Sequence, residues 1–192
     1  MSARWARLAS CLLSLGLVTA CSGTPENIQI SHSGAGAFEA ALARDGNGFV
    51  VAWYDTRDGN AEIYLRQVDA SGRVSGPERR LTETPDSSYE ASVELLGDTV
   101  IAAWYEQTMG GQQTAMLGAW TRDGTMKWMH AIAPASRNPV VRTKEHAIVA
   151  AWVQTESDGT EAVYAGRWGE DGQEQGARTR VAPASKTRAI CG

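Results

Sequence analysis

The chain has 192 residues, a formal charge of −4 at pH 7 and three cysteines, Cys11, Cys21 and Cys191. Its length suits one domain. The acidic balance, with no basic stripe to neutralise phosphates, argues against nucleic acid as a partner.

Arg4 and Arg7 are the first charges, and no acidic residue precedes Glu26. Between them lies a mainly apolar stretch of thirteen residues, Leu8 to Ala20. A helix needs roughly 20 residues to span a bilayer, so this stretch fits the short apolar region of an export signal behind a basic start. It ends Leu17-Val18-Thr19-Ala20-Cys21, with an aliphatic residue three before the cysteine and a small one just before it. This segment resembles the lipobox of bacterial lipoproteins. The resemblance implies cleavage before Cys21, a diacylglyceryl thioether on its sulfur and acylation of the new amino terminus. Several acyl chains give a stable anchor where one gives marginal binding. An ordinary secretory signal that happens to end at a cysteine is the alternative.

The expected organisation is a leader over residues 1–20, a lipidated linker over 21–26 and a folded part from 27. Cys11 falls in the leader and reads as a small apolar residue. With Cys21 lipidated, Cys191 has no partner, so no disulfide framework is expected. Without Arg4 and Arg7 the charge is −6, from 16 basic and 22 acidic residues. Ser22 stands where an aspartate would signal inner-membrane retention. A lipid-anchored protein of the cell envelope, at the outer membrane, is therefore expected, with its membrane face left open.

From residue 27 onward an internal repeat of about 50 residues dominates. Phe49-Val50-Val51-Ala52-Trp53 recurs as Val100-Ile101-Ala102-Ala103-Trp104 and as Ile148-Val149-Ala150-Ala151-Trp152, at spacings of 51 and 48. Val68, Trp120 and Trp168 keep step, as do Gly72, Gly124 and Gly172, and Leu81, Ile132 and Val181. Phe38-Glu39-Ala40 matches Tyr89-Glu90-Ala91 at 51. Each unit reads as four strands. In the middle unit these are Ala91–Leu96, Thr99–Gln107, Thr114–Thr121 and Met126–Ala133, parted by turn residues such as Gly97-Asp98 and Asp123-Gly124. Four short strands per repeat at this period predict an all-β chain of β-propeller blades. A blade cannot bury both faces alone, so Trp53, Trp104 and Trp152 read as inter-blade core.

The blades fall at about 37–85, 88–136 and 137–185. Ile30 lies 51 residues before Leu81, so residues 27–32 are expected to form a lone outer strand. Residues 186–192 offer the start of a further strand or a frayed tail. Propellers have 4–8 blades, so three blades predict an open or partial propeller, the front part of a longer one. Uncovered blade faces and open edges favour association. The expectation is either a self-associated assembly closing the ring, such as two arcs giving six blades, a protein partner over the open faces, or poor solubility.

Up-and-down strand order gathers the fourth-to-first and second-to-third connections on one face of the arc. That face carries Glu39, Asp55, Arg57, Asp58, Asp86, Glu90, Glu106, Asn138, Glu156 and Asp158, and it is the candidate ligand face. The segment Trp53 to Tyr64 resembles repeats of the sialidase-like, BNR/Asp-box propeller family. The hairpin Thr121-Arg122-Asp123-Gly124-Thr125-Met126-Lys127-Trp128 resembles a degenerate Asp box, lacking one spacer before the glycine and carrying Lys127 at the penultimate position. Asp69-Ala70-Ser71-Gly72 and Glu170-Asp171-Gly172 are weaker matches. In that family the box is a structural turn, so the match implies fold and not activity.

Sialidase chemistry requires an arginine triad, a Tyr–Glu nucleophile pair and an acid/base aspartate, and no such set is found. Arg57 is expected to pair with Asp55 or Glu62, and Arg142 with Glu94 across inner strands. Asp55 and Glu106 have the chemistry of a glycosidase acid/base pair, but they occupy equivalent places in adjacent repeats, and repetition explains them. Gly-x-Ser-x-Gly, His-Glu-x-x-His and Cys-x-x-Cys are absent. His32, His130 and His146 are scattered, so neither a metal nor another cofactor is expected. The readings in play are a non-catalytic binding or scaffold lipoprotein for a glycan or protein, a sialidase-type glycoside hydrolase, and a truncated product without activity of its own.

Overall fold

The computed structural model describes residues 27–182. Twelve strands fall within them: β1 Ala37–Asp45, β2 Gly48–Asp55, β3 Glu62–Val68, β4 Arg79–Arg80, β5 Ser87–Leu96, β6 Thr99–Gln107, β7 Gln113–Thr121, β8 Met126–Pro134, β9 Ser136–Lys144, β10 Ala147–Thr155, β11 Glu161–Gly169 and β12 Thr179–Arg180. They make three four-stranded antiparallel meanders, β1 to β4, β5 to β8 and β9 to β12. The first strands of neighbouring sheets, β1, β5 and β9, lie against one another, as the innermost strands of propeller blades do. The fold is an open arc of three blades.

The alternation within each aliphatic run explains the packing. In β2 and β6, Val50, Ala52 and Ile101, Ala103 point toward the following blade. Val51, Trp53 and Ala102, Trp104 point toward the preceding one. Val50, Ala52, Ile63 and Leu65 of the first blade thus meet Val93, Ala102, Trp104 and Trp120 of the second. Ile101, Ala103 and Leu117 of the second meet Val141, Ala150, Trp152 and Trp168 of the third. Burial of each valine, leucine or isoleucine side chain contributes about 1.5–3 kcal/mol. Gly118 and Gly166 admit the neighbouring indoles. A Cβ on Gly118 would stand 2.5 Å from the Trp120 ring, and one on Gly166 2.6 Å from the Trp168 ring.

The first blade breaks this pattern. Arg66 replaces the glycine and Val68 the second tryptophan. Here residues 27–32, expected as an outer strand, form no strand. Ile30 instead packs on Val51, Trp53, Tyr64 and Val68, the face a preceding blade would cover. Arg66 Nη1 donates to the Ile30 carbonyl at 2.6 Å, the His32 amide to Glu78 Oε1 at 2.6 Å, and the Ser33 hydroxyl to Asp55 Oδ1 at 2.7 Å. A strand needs an unpaired edge to join. The short β4 pairs with β3 through two residues only, and the apolar sheet face holds Ile30 instead.

Among the described residues, the third blade's far face is uncovered. Val50 and Ile101 are fully buried, yet Val149, at the same repeat position, is 43 % exposed. Leu81 and Ile132 are 7 % and 2 % exposed, and their counterpart Val181 is 61 % exposed.

Candidate functional site

Each innermost strand carries a bulge near its start, between Phe38 and Ala41, between Tyr89 and Ser92, and opposite Ala151 and Val153 in β9. At each bulge one non-glycine residue adopts left-handed φ: Glu39 at 50°, Glu90 at 52° and Asn138 at 50°. Such φ is uncommon outside glycine, and more so for glutamate than for asparagine. Bulges re-aim side chains. These three re-aim Glu39, Glu90 and Asn138 into one cleft of about 410 Å³ where β1, β5 and β9 converge.

Asn138 Nδ2 donates to Glu90 Oε2 at 2.6 Å, and the Tyr105 hydroxyl to Glu90 Oε1 at 3.5 Å. Burial raises the pKa of Glu90, and the charge of Glu39 adds to the rise; Tyr105, Arg137 and Asn138 oppose it. Tyr105 is pushed up to about 12, first by burial and then by Glu90 and Glu39. Alongside runs an aromatic arc. Phe38 stacks on Tyr54 at 5.2 Å, Tyr54 meets Tyr89 edge-on at 5.1 Å, and Tyr89 lies 5.6 Å from Tyr105.

The other residues of the candidate face serve their own loops. Asp55 is fully buried and accepts from Ser33, from the Trp53 indole at 3.2 Å and from the Arg57 amide at 3.0 Å, and it is paired with the Arg57 guanidinium. Burial alone would raise its pKa; these hydrogen bonds outweigh that and hold it at about 2. Arg57 pairs with Asp55 and with Glu78, not with Glu62, and lies 4.4 Å over the Tyr64 ring. Asp58 accepts from Tyr64 and pairs with Arg80 at 3.5 Å. Glu62 is taken up by Arg80, Thr82 and the Thr84 amide. Asp158 caps its loop through Thr160, and Glu156 holds Tyr164 and Arg180. Arg142 pairs with Glu94 at 3.1 Å across inner strands, as their register predicts.

Glu106 does not join Asp55 in an acid/base pair. Its Oε1 is buried without a partner. Burial raises its pKa, the nearby Trp104 indole opposes the rise, and the charge of Asp86 adds to it. Among the described residues no three His, Cys, Asp or Glu side chains are grouped to hold a metal. Cys21 lies outside the described residues.

Sequence reasoning set Glu39, Glu90 and Asn138 among the ten residues of the candidate face without singling them out. It missed the aromatic arc and Arg137. A signal was present: Phe38 and Tyr89, and Tyr54 and Tyr105, recur at 51 and give way to Arg137 and Val153 in the third repeat.

Strand order and cleft together define a propeller-type β-domain with an axial cleft. No family model matches the chain, and no curated protein matches its sequence. Among solved structures, the chain is similar to a protein of the GH130 family of mannoside phosphorylases, in work describing glycoside hydrolases that target β-1,2 mannosidic linkages in Candida mannan. The TM-score is 0.50 at 8 % identity, over 77 % of this chain and 52 % of that one. It is also similar to GH43B of a Bacteroides ovatus xyloglucan locus, with TM-score 0.47 and 11 % identity, over 74 % of this chain and 29 % of that one. The chain thus spans about half the length of the first and under a third of the second.

Proposed function

We propose that the chain is an exported, lipid-anchored propeller domain that binds a glycan in its axial cleft without transforming it. The carrying observation is that Glu39, Glu90 and Asn138 line one cleft, with the Tyr54–Tyr89–Tyr105 arc beside it, where Tyr105 donates to Glu90. Carboxylates and an amide exchange hydrogen bonds with sugar hydroxyls, and aromatic rings match the C–H faces of a sugar ring. Clefts that mix apolar walls with a few convergent polar groups are the usual ligand sites. The activity of the GH130 neighbour supports a glycan as ligand and β-1,2-mannosides as the first probes. The arginines of a sialidase reading, Arg57 and Arg142, are each engaged by a carboxylate.

One observation favours a second reading. The raised pKa of Glu90 beside Glu39 suits a general acid with a second carboxylate, the pair a neutral glycoside hydrolase uses. Titration calorimetry and product analysis of the full chain with β-1,2-mannobiose separate the two. Binding without turnover, weakened about tenfold by Glu90→Gln, is expected. Turnover that disappears in Glu90→Gln would establish the hydrolase reading, and absence of binding removes both.

The anchor rests on Leu17 to Cys21. Cys21→Ala is expected to abolish acyl labelling and membrane fractionation. Labelling that persists in the variant places the lipid elsewhere.

A further inference from the structure

The face that carries the axial cleft holds a second one of about 430 Å³, between the second and third blades. It is lined by Gln112, Gln113, Thr114, Ala135, Arg137 and Thr155. Arg137 stands between the two clefts. It lines the second, its successor Asn138 lines the axial one, and its charge acts on Glu90. Both volumes fall within the roughly 300–1,000 Å³ that ligand pockets occupy.

The rim of the second cleft is pinned. The Thr155 amide donates to the Ala135 carbonyl at 2.8 Å, and Gln113 Nε2 to Gln107 Oε1 at 2.9 Å. Its walls offer two amides, two hydroxyls and a guanidinium. Amides and hydroxyls both donate and accept, which suits ligand hydroxyls that do the same. Charge disfavours an anion. Arg137 Nη1 pairs with Glu161 at 2.6 Å, and the charge of Glu90 acts on it as well.

We propose that this second cleft is a sugar subsite continuous with the axial cleft, so that the protein takes a neutral glycan chain of at least two units lying across Arg137. The inference rests on the glycan reading of the axial cleft. Two clefts sharing a wall respond to chain length. Loss of the second cleft's side chains is then expected to remove the dependence of affinity on chain length.

The test is calorimetric titration of the full chain with mannose, β-1,2-mannobiose and β-1,2-mannotetraose. Affinity is expected to rise about tenfold from the first to the second, the effect of one or two added hydrogen bonds. In the double variant Gln112→Ala with Gln113→Ala the three sugars are expected to bind with a single affinity. Saturation-transfer NMR on the unmodified chain gives an independent reading, with protons of at least two units of the tetraose saturated. Equal affinity at all lengths, or saturation confined to one unit, overturns the subsite and leaves the axial reading standing. A length dependence that survives in a folded double variant also overturns it. No binding at any length overturns both.

Discussion

Each second strand carries a tryptophan followed two residues later by a side-chain acceptor, and the three repeats use different acceptors. The Trp53 indole donates to Asp55 at 3.2 Å, and the Trp152 indole to Gln154 at 3.1 Å. In the middle repeat Trp104 Nε1 and Glu106 Oε1 are both buried and unpartnered. Glu106→Gln copies the third repeat and removes a half-buried charge. Because the folded pKa of Glu106 is raised, wild-type stability falls as pH rises from the ordinary glutamate value through the folded one. The variant is therefore expected to be more stable by about 1 kcal/mol at pH 7. The advantage should fade below about pH 4, where Glu106 is protonated in folded and unfolded chains alike. Urea unfolding at both pH values checks this; a variant less stable at pH 7 contradicts it.

At the scale of the element, the tight turns joining first and second strands repeat with one exception. Gly46 and Gly97 sit at φ 54° and 58°, where glycine carries no Cβ penalty. The third turn places Glu145 at φ 55°, with its side chain exposed. The left-handed penalty of about 1–2 kcal/mol exceeds the entropy cost of glycine. Glu145→Gly is accordingly expected to raise stability by about 0.5–1 kcal/mol, read as a higher thermal midpoint. A lower midpoint would mean that the Glu145 side chain holds the turn. Glu39 and Glu90 carry the same strain, but there it aims carboxylates into the axial cleft, and strain of this kind gathers at functional sites.

At the scale of the whole molecule the arc has two unlike ends. At the first blade's outer face Ile30 packs on Val51, Trp53, Tyr64 and Val68, while Leu42, paired with Val51, stays 60 % exposed. The third blade keeps Val140, Val149 and Val181 exposed. Apolar patches of this kind favour association, so we propose self-association through the third blade. Light scattering of the full chain is expected to show assemblies that Val149→Asp disperses, with thermal unfolding of the dilute monomer changed by no more than about 0.5 kcal/mol. Ile101→Asp, at the same repeat position but buried between blades, is expected to cost more than about 3 kcal/mol. A monodisperse wild-type monomer contradicts the association. Equal losses in the two dilute variants contradict an open face.

The repeat, the all-β blades and the inter-blade role of Trp104 and Trp152 were readable from the sequence, because strand alternation and turn residues are local patterns that recur at 51 and 48 residues. The Arg142–Glu94 pair was readable as well, since it follows from repeat register. Tertiary structure alone decided which charges meet. Arg57 takes Asp55, one of its two expected partners, and Glu78, distant in sequence, in place of Glu62, whose carboxylate Thr82, Arg80 and the Thr84 amide already occupy. It also decided that residues 27–32 lie on a sheet face, since strand pairing depends on an edge the segment does not itself carry. The axial cleft depends on left-handed backbone at Glu39 and Glu90. Glutamate gives no local sign of that conformation; it is imposed where three inner strands crowd together and their bulges turn the side chains toward one another.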